Sequence, residues 1–243
     1  MRDYERRWNI KEALLNLAFP RRCPVCDDIV PIGEGEVCTS CRIKPQYITD
    51  PVCRKCGKQL LDASQPFCKD CMQRGHIFES GRALYDYQSM RESIYRFKYK
   101  GRCEYATFYA QEIYERLGED IVSMEADSIV PIPIHSSRLR SRGYNQALLV
   151  AQQLARLTGI PLYANLVKRV RATVPQKELD IQQRQNNLKK AFHIDSNVVK
   201  LNKTILVDDI FTTGSTLDAV ALELKRHGVE TVYFIALCIG ESM

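Results

Sequence analysis

The residues from Ile205 to Thr216 combine the chemical groups that hold a phosphorylated sugar. An apolar run, Ile205 to Val207, leads into two adjacent acids, Asp208 and Asp209. Glycine lets a backbone curl closely around an anion, and the N–H groups at a helix start attract phosphate. The two carboxylates can accept hydrogen bonds from ribose hydroxyls or help to hold Mg²⁺. The residues that open the predicted helix are Thr212, Thr213, Gly214, Ser215 and Thr216.

An ordinary capped helix is the alternative explanation for the same residues. Acids at a strand end followed by hydroxyl side chains can satisfy the first N–H groups of a helix without any ligand. Here an apolar strand, paired acids and a Thr-Thr-Gly-Ser-Thr run occur together, which is more specific than a lone glycine-rich loop. The sequence therefore predicts a phosphate-binding loop from Thr212 to Thr216.

Eight of the ten cysteines form four Cys-x-x-Cys pairs, and each pair begins 15 residues after the one before it. One such turn presents two sulfurs, so two turns supply the four tetrahedral ligands that Zn²⁺ prefers. We therefore expect two structural zinc sites of four thiolates each. The pairs are Cys23/Cys26, Cys38/Cys41, Cys53/Cys56 and Cys68/Cys71.

The four pairs can be combined in more than one way. Short loops close at a lower entropic cost, which favours joining the first pair with the second and the third with the fourth. An interleaved arrangement is the alternative. A disulfide framework would need a secretory route, yet charged residues interrupt the stretch from Trp8 to Phe19, where a signal peptide would be apolar. Cys103 and Cys238 stand alone, and we predict that both are small core residues.

Composition and charge are those of soluble globular proteins. Of the 243 residues, 45% are hydrophobic and 26% are charged. No apolar run reaches the roughly 18 residues of a membrane-spanning helix. The formal net charge of +6 falls to about +2 when eight thiolates hold two zinc ions. The segment 20–76 becomes slightly negative in the same way, which argues against nucleic-acid binding by the cysteine module alone.

From residue 127 onward, short apolar runs alternate with helix-like segments, which predicts a parallel β-sheet with helices on both faces. Pro131 and Pro133 place the first of these strands at an edge or near a loop end. Ligands bind at the carboxyl ends of parallel strands, where the sequence puts Asp208 and Asp209. The predicted strands are 128–134, 161–170, 192–194, 204–210 and 231–239, and the predicted helices are 146–157 and 216–227.

We divide the chain into three parts: an amphipathic helix at 1–19, a double zinc ribbon at 20–76 and an α/β domain at 77–243, in which 77–126 forms a helical lead-in. The first helix is expected to dock on the body of the protein, with a membrane-surface helix as the alternative. In the lead-in, Met90, Ile94 and Phe97 share one helical face, and Gly101 ends that helix.

The run from Ile205 to Thr216 resembles the signature of type I phosphoribosyltransferases. The resemblance implies binding of 5-phosphoribosyl-1-pyrophosphate (PRPP) with Mg²⁺, with the loop on the 5′-phosphate and the two acids on the ribose hydroxyls. The pyrophosphate loop of that family follows its first sheet strand, which corresponds here to His135 to Gly143. Cations on such a loop suit a diphosphate, and a solvated basic loop is the alternative. The residues concerned are Arg138, Arg140, Arg142 and Gly143.

Nearly the whole chain is similar to the ComF/GntX family of late competence proteins. This resemblance implies uptake and handling of single-stranded transforming DNA together with the helicase-like ATPase ComFA. It also implies a cytoplasmic protein that works at the inner face of the membrane. No stretch resembles the nucleobase-binding hood of salvage transferases. The similarity includes the paired cysteines, Phe97 to Gly101, Arg138 to Gln146, Gln176, Leu179, Arg184, Asn187, Ala191, Phe192 and the phosphate loop.

Basic residues in several segments form a candidate path for a single strand of DNA. Residues 168–190 carry seven basic residues against two acids, and 171–190 are predicted to form a long loop. Aromatic and cationic residues alternate at 95–102, a pattern that can stack bases, although it also fits the solvated side of an amphipathic helix. The predicted contacts are Arg96, Lys98, Lys100, Lys168, Arg169, Arg171, Lys177 and Arg184.

The sequence leaves two further functions open. One is an active phosphoribosyltransferase on an unknown acceptor, in which arginines stabilise the departing pyrophosphate. No general base stands out for that reaction. The other is a zinc-ribbon adaptor that binds only proteins, against which salt-dependent binding of single-stranded DNA would argue.

Overall fold

The computed structural model describes residues 20–31, 35–170, 191–194 and 201–240. The strands in these ranges are β1 (Gly81–Asp86), β2 (Ser128–Pro131), β3 (Val167–Arg169), β4 (Phe192–Ile194), β5 (Lys203–Phe211) and β6 (Thr231–Ile239). The α-helices are α1 (Lys69–Gln73), α2 (Tyr87–Tyr99), α3 (Tyr105–Ser123), α4 (Ser136–Arg142), α5 (Gln146–Thr158) and α6 (Ser215–Arg226). A short 3₁₀ helix spans Thr39–Cys41.

Four strands form one parallel sheet in the order β1-β6-β5-β2. Val207 of β5 lies beside Ile235 of β6 and Pro131 of β2, so β5 occupies the interior of the sheet. β2 lies at the edge, as its prolines predict. A single parallel bridge joins Ile129 of β2 to Leu162 on the outer side.

The side chains of β5 point into two hydrophobic cores. Ile205 and Val207 pack with α2, α3 and α5, whereas Leu206 and Phe211 pack with α6 and the antiparallel pair β3–β4. Helices therefore cover both faces of the sheet, which confirms the predicted α/β class. The predicted apolar face of α2 is buried: it comprises Met90, Ile94 and Phe97.

Three predictions about strands need correction. The region 77–126, predicted as helical, contains β1, which pairs in parallel with β6. Its residues are mostly buried on both sides, so the strand lacks the alternation that marks a half-exposed one. The strand predicted at 128–134 ends earlier, at Pro131, and the amide of Ile132 makes a further hydrogen bond to the Val207 carbonyl oxygen of β5. Of 161–170, only Val167–Arg169 forms a strand, because residues 164 and 165 form a turn.

The basic loop predicted from His135 to Gly143 contains a short helix, α4. The side chain of His135 caps it by accepting a hydrogen bond from the amide of Ser137, and Gly143 ends it with a φ of 84°. Its residues are mostly polar or basic, so the sequence lacks the apolar periodicity by which a helix is recognised.

The cysteine module packs directly on the α/β domain. The amide of Gly81 in β1 donates to the carbonyl oxygen of Lys55, between Cys53 and Cys56, at 3.0 Å. A Cβ atom at Gly57 would lie 2.8 Å from the Gly81 carbonyl oxygen, so only glycine allows this approach. At the other end of the module, Arg96 of α2 donates to the carbonyl oxygen of Val25 at 2.6 Å.

The two unpaired cysteines differ in their surroundings. Cys238 is buried in β6, which confirms the prediction of a core residue. The same prediction is wrong for Cys103, which is exposed. Its amide donates to the carbonyl oxygen of Gly101 in the turn before α3, where the chain runs along the surface.

The predictions for residues 1–19 and 171–190 lie outside the described residues. They include the amphipathic helix and the long loop with Arg171, Gln176, Lys177, Leu179, Arg184 and Asn187. Among the helices that the structure describes, none is long and apolar enough to cross a membrane.

Candidate functional site

The loop after β5 leaves the start of α6 without a side-chain cap. Gly214 precedes the helix with a left-handed φ of 73°, and no side chain forms a capping hydrogen bond there. In contrast, Asp86 caps α2 and Asn145 caps α5 with side-chain oxygens. The explanation of Thr212 to Thr216 as an ordinary capped helix is therefore wrong. The first N–H groups of α6 are available to an anion.

The loop and the strand end line a small cleft of about 30 Å³ that opens to solvent. The hydroxyl oxygens of Thr213 and Ser215 lie 2.9 Å apart at its wall. Because the cleft is open to solvent at a helix start, a compact anion such as a phosphate can reach the N–H groups there. Its lining comprises Asp208, Ile210, Phe211, Thr212, Thr213, Gly214, Ser215, Thr216 and Leu217.

Asp208 lies half-buried near the carboxyl end of β5. Its Oδ1 atom accepts a hydrogen bond from the amide of Asp209 at 2.8 Å. Burial and the neighbouring charge of Asp209 raise the pKa of Asp208 to about 7. Near neutral pH this carboxyl group can therefore gain or lose its proton, and it can donate or accept a hydrogen bond.

Asp209 forms an ion pair with Lys98 of α2. The Lys98 Nζ atom lies 2.9 Å from Asp209 Oδ1, and the two side chains are 14% and 16% exposed. The prediction placed Lys98 on a surface for nucleic acid, but the structure places it in the candidate site. Lys98 follows the buried Ile94 by four residues and so lies on the same helical face, which is the sequence signal for its inward position.

Arg169 brings a second cation to the surroundings of Asp208. Burial and the positive charge of Arg138 lower the pKa of Arg169, and the negative charge of Asp208 opposes that effect. The Arg169 guanidinium also lies over the ring of Phe192, 5.4 Å from its centroid. Charges from α4, β3 and β5 therefore meet at this end of the sheet.

The other two arginines of α4 have different surroundings. Arg140 is exposed. Arg142 donates to the Tyr99 hydroxyl oxygen at 3.0 Å and to the Gln146 side-chain oxygen at 3.1 Å. Of the three arginines predicted to bind pyrophosphate, the structure thus brings Arg138 into electrostatic contact with the residues around Asp208.

Exposed aromatic rings and cations lie together beside α2. The rings of Tyr95 and Tyr99 are 5.3 Å apart, and these residues are 47% and 55% exposed. The Lys100 Nζ atom lies 5.9 Å from the centroid of Tyr95, and the Arg142 guanidinium lies 4.9 Å from that of Tyr99. We call these four residues the aromatic–cation surface. Lys100 remains an exposed candidate contact for nucleic acid.

Arg96 and Lys168 were predicted with Lys100 as nucleic-acid contacts. The Arg96 guanidinium is turned toward the cysteine module, where it donates to the Val25 carbonyl oxygen. Arg96 is therefore a docking residue between two parts of the chain, because its hydrogen bond is made inside the protein. Lys168 lies exposed on β3.

Sequence reasoning missed His76. A Cβ atom at Gly214 would lie 2.8 Å from His76 Cε1, so the imidazole packs against the loop after β5. His76 lies five residues after Cys71, and neither its spacing nor its neighbours indicates this contact.

The sulfurs of the repeated cysteines form two groups, and within each group all four lie within 4.8 Å of one another. The Cys26–Cys38 and Cys56–Cys68 sulfur distances are 3.6 and 3.7 Å. A tetrahedron with zinc–sulfur bonds of about 2.3 Å has edges of about 3.8 Å, so both groups fit structural Zn²⁺. The groups are Cys23, Cys26, Cys38 and Cys41, and Cys53, Cys56, Cys68 and Cys71, which confirms the pairing of successive turns.

Two family models match the chain. A double zinc ribbon domain matches residues 14–72, and a phosphoribosyl transferase domain matches residues 144–242. Together with the parallel sheet and the two cysteine groups, they define the class: a phosphoribosyltransferase-type α/β protein that carries a double zinc ribbon.

Curated relatives extend the similarity over most of the chain. Competence protein F of Haemophilus influenzae is 31% identical, with 88% of this chain and 95% of the relative covered. DNA utilization protein YhgH of Salmonella typhimurium is 30% identical, with 91% and 98% covered. Competence protein ComFC of Bacillus subtilis is 29% identical, with 80% of each covered. The chain belongs to the ComF/GntX family.

Proposed function

We propose that this protein aids the uptake and handling of single-stranded transforming DNA and binds a phosphorylated ribose, such as PRPP with Mg²⁺, in the loop after β5. The uncapped start of α6 beside Asp208 and Asp209 carries the ribose-phosphate part of the proposal. Similarity to relatives named competence proteins and DNA utilization protein supports the DNA part.

The loop from Thr212 to Thr216 would hold the 5′-phosphate of the ligand. Backbone N–H groups at the start of α6 can donate hydrogen bonds to the phosphate oxygens without further rearrangement. The loop hydroxyls add neutral donors, and Gly214 keeps the backbone close to the anion. The cleft beside these donors opens to solvent, so a phosphate can reach them.

Asp208 and Asp209 would accept hydrogen bonds from the ribose hydroxyls. Lys98 holds the Asp209 carboxylate in place through an ion pair of 2.9 Å, so that a positioned acceptor is present for the ribose hydroxyls. Mg²⁺ would supply positive charge to the diphosphate, with these carboxylates and ligand oxygens around it. Arg138 and Arg169 bring further positive charge to the surroundings of Asp208.

A calorimetric titration with PRPP and Mg²⁺ tests this site. We expect wild type to bind. The double variant Asp208→Asn/Asp209→Asn should lose most of the affinity, because side-chain amides accept hydrogen bonds from ribose hydroxyls less strongly than carboxylates do and do not hold Mg²⁺. Glu119→Gln, at an exposed acid of α3, is the matched control and should bind like wild type. Equal affinity in the double variant and wild type would contradict the proposal.

An active phosphoribosyltransferase with an unknown acceptor is the second candidate. The position of Arg138 and Arg169 near Asp208 favours it, because such cations can stabilise a departing pyrophosphate. Release of pyrophosphate from PRPP on addition of a candidate acceptor would support catalysis. Binding of PRPP without any release would leave the site as a binding site.

The nucleic-acid path, the partner and the location are parts of the same proposal. Single-stranded DNA would follow the aromatic–cation surface and the exposed Lys168. ComFA-type ATPase is the proposed protein partner, and the inner face of the membrane is the proposed place of action. The division at 1–19, 20–76 and 77–243 stays a prediction.

A further inference from the structure

His76 connects the zinc ribbon to the loop after β5. It lies between Cys71 and the first sheet strand, and its side chain is 3% exposed. The imidazole stacks on Phe78, with ring centroids 4.6 Å apart, and meets the edge of Phe211 at 6.4 Å. Phe78 is fully buried, so one face of the His76 ring packs against the protein core.

Two groups of this segment bind both oxygens of one carboxylate. His76 Nδ1 lies 2.8 Å from Asp218 Oδ2, and the amide of Ile77 donates to Asp218 Oδ1 at 2.7 Å. Asp218 lies in the first turn of α6, and its own amide donates to the Gly214 carbonyl oxygen at 2.8 Å. The segment 76–77 thus fixes the turn that follows the loop.

The same imidazole supports the loop itself. A Cβ atom at Gly214 would lie 2.8 Å from His76 Cε1 and 3.2 Å from Phe211 Cε2. Gly214 adopts a φ of 73°, which sets the direction of the N–H groups that follow it. His76 therefore contacts the residue whose backbone conformation shapes the anion site.

The charge of Asp218 gives this contact an electrostatic consequence. A free carboxylate in the first turn of α6 would repel an anion bound at the helix start. A hydrogen-bonded partner on each carboxylate oxygen disperses that charge. Without His76, the loop would lose a side chain that packs against it, and of these two partners Asp218 would keep only the amide of Ile77.

The zinc ribbon determines where His76 lies. Cys53, Cys56 and Cys68 are buried in the same core as Phe78 and Phe211. The hydrogen bond between Gly81 and Lys55 holds this part of the ribbon against β1. The position of the imidazole therefore depends on the second cysteine group as well as on the sheet.

We propose that His76 is a positioning residue for the phosphate loop, through which the zinc ribbon sets the affinity of that loop for a phosphorylated ligand. The inference rests on the proposed function for the identity of the ligand. The effect of His76 on the loop is independent of the proposed function, because it can be measured without ligand.

Binding and hydrogen exchange test the inference together. The probe is ribose 5-phosphate, titrated into the full chain with zinc content measured in each variant. We expect His76→Ala to weaken binding by about tenfold or more, as the loss of a hydrogen bond to a charged group implies. We also expect the amides of residues 212–218 to exchange faster in the absence of ligand. His76→Asn places an amide N–H near the position of Nδ1 and should restore most of both properties.

Asp218→Asn separates an electrostatic role from simple packing. In the His76→Ala background it removes the negative charge whose Oδ2 atom has lost its partner, so we expect ribose 5-phosphate affinity to recover in part. Packing alone predicts no such recovery. If His76→Ala fails to fold, a comparison of His76→Asn with His76→Gln replaces it, because the amide of glutamine lies one methylene further out. Equal ligand affinity and equal amide exchange in these two variants and wild type would overturn the inference.

The outcomes distinguish this inference from the proposed function. Unchanged affinity and unchanged exchange at 212–218 in His76→Ala overturn the inference. If wild type itself does not bind ribose 5-phosphate, the proposed function fails. In that case faster exchange in His76→Ala still supports the positioning role, and unchanged exchange refutes it.

Discussion

Lys98 of α2 and Asp209 of β5 form an ion pair of 2.9 Å at the end of the parallel sheet. The pair joins a helix that also holds the first cysteine turn, through Arg96 and Val25, to the strand that carries the candidate site. Two separate contacts therefore link the zinc ribbon to this site: Lys98 through α2, and His76 directly.

Lys98→Met is expected to destabilise the protein and to weaken PRPP binding. The variant leaves Asp209 mostly buried without its cation, and removing one partner of such a pair costs about 3 kcal/mol. Urea denaturation measures the loss of unfolding free energy, and calorimetry measures the affinity. Lys100→Met is the matched control. Lys100 is exposed, so its substitution should change the unfolding free energy by less than about 0.5 kcal/mol. Similar stability of the two variants would show that the ion pair contributes little.

The pKa of Asp208 predicts how stability and binding depend on pH. Burial raises this pKa from 3.8 to about 7, so between these values the folded protein binds a proton that the unfolded chain has released. The contribution of Asp208 to the unfolding free energy therefore decreases as pH rises from roughly 4 to 7. Ribose hydroxyls and Mg²⁺ prefer the carboxylate, so PRPP affinity should increase between about pH 6 and 8.

Asp208→Asn provides the comparison for both effects. The asparagine does not titrate, so the part of the pH dependence that belongs to Asp208 should vanish from the stability and binding curves. The phosphate of the ligand also titrates near pH 6, but it does so equally with both proteins. Parallel pH curves for wild type and variant would contradict the assignment.

Gly214→Ala should lower the unfolding free energy more than the same substitution at another left-handed glycine. Gly214 and Gly101 have similar φ values of 73° and 70°, but a Cβ atom meets His76 at 2.8 Å only at Gly214, and nothing lies within 4 Å at Gly101. Gly101→Ala should cost about 1 kcal/mol, for backbone strain alone. Gly214→Ala should cost more by urea denaturation and should also reduce PRPP affinity. Equal stability losses would show that His76 moves aside without cost.

The sequence was a good guide to this site where the chemistry lies within one short segment. The run from Asp208 to Thr216 and the cysteine spacing gave the strand end, the loop and both metal sites, because neighbours in the chain provide most of the groups. The sequence was a poor guide to partners that meet through the fold. Lys98 had a visible inward position four residues after Ile94, but nothing in the pattern indicated that Asp209 lies opposite.

Two other elements were missed because their residues lack the alternation of apolar and polar side chains by which strands and helices are recognised. β1 is buried on both faces, so Gly81–Asp86 lacks the alternation of a half-exposed strand, and α4 is so polar that it lacks an apolar stripe. His76 has neither pattern nor motif. Its role follows from the approach of the ribbon to the sheet, which depends on contacts between residues far apart in the sequence.

Loss of the second zinc site should affect the α/β domain as well as the ribbon. Cys56 is buried in a core that also contains Phe78 and Phe211, so Cys56→Ser should lower the zinc content from two ions per chain to one and reduce the melting temperature. Metal analysis and thermal unfolding check both results. Cys103→Ser is the control, because Cys103 is exposed and lies outside both groups, and it should retain two zinc ions. Two zinc ions in Cys56→Ser would contradict the assigned ligands.

The aromatic–cation surface predicts which tyrosines contact single-stranded DNA. Tyr95 and Tyr99 are about half exposed beside Lys100 and Arg142, which suits stacking of bases with cations next to the backbone. Fluorescence anisotropy with a labelled oligonucleotide should show that Tyr95→Ala with Tyr99→Ala loses about 1–3 kcal/mol of binding free energy per stacked base. Arg142→Gln should weaken binding and flatten its dependence on salt, because fewer counterions are released.

Tyr114→Ala is the matched control for this surface. Tyr114 is 42% exposed on α3 and is not part of the aromatic–cation surface, so its removal tests for a general effect of losing a tyrosine. We expect the control to bind the oligonucleotide like wild type at every salt concentration. If the double variant and Tyr114→Ala bind equally well, single-stranded DNA does not use this surface, and the exposed Lys168 on β3 becomes the next position to test.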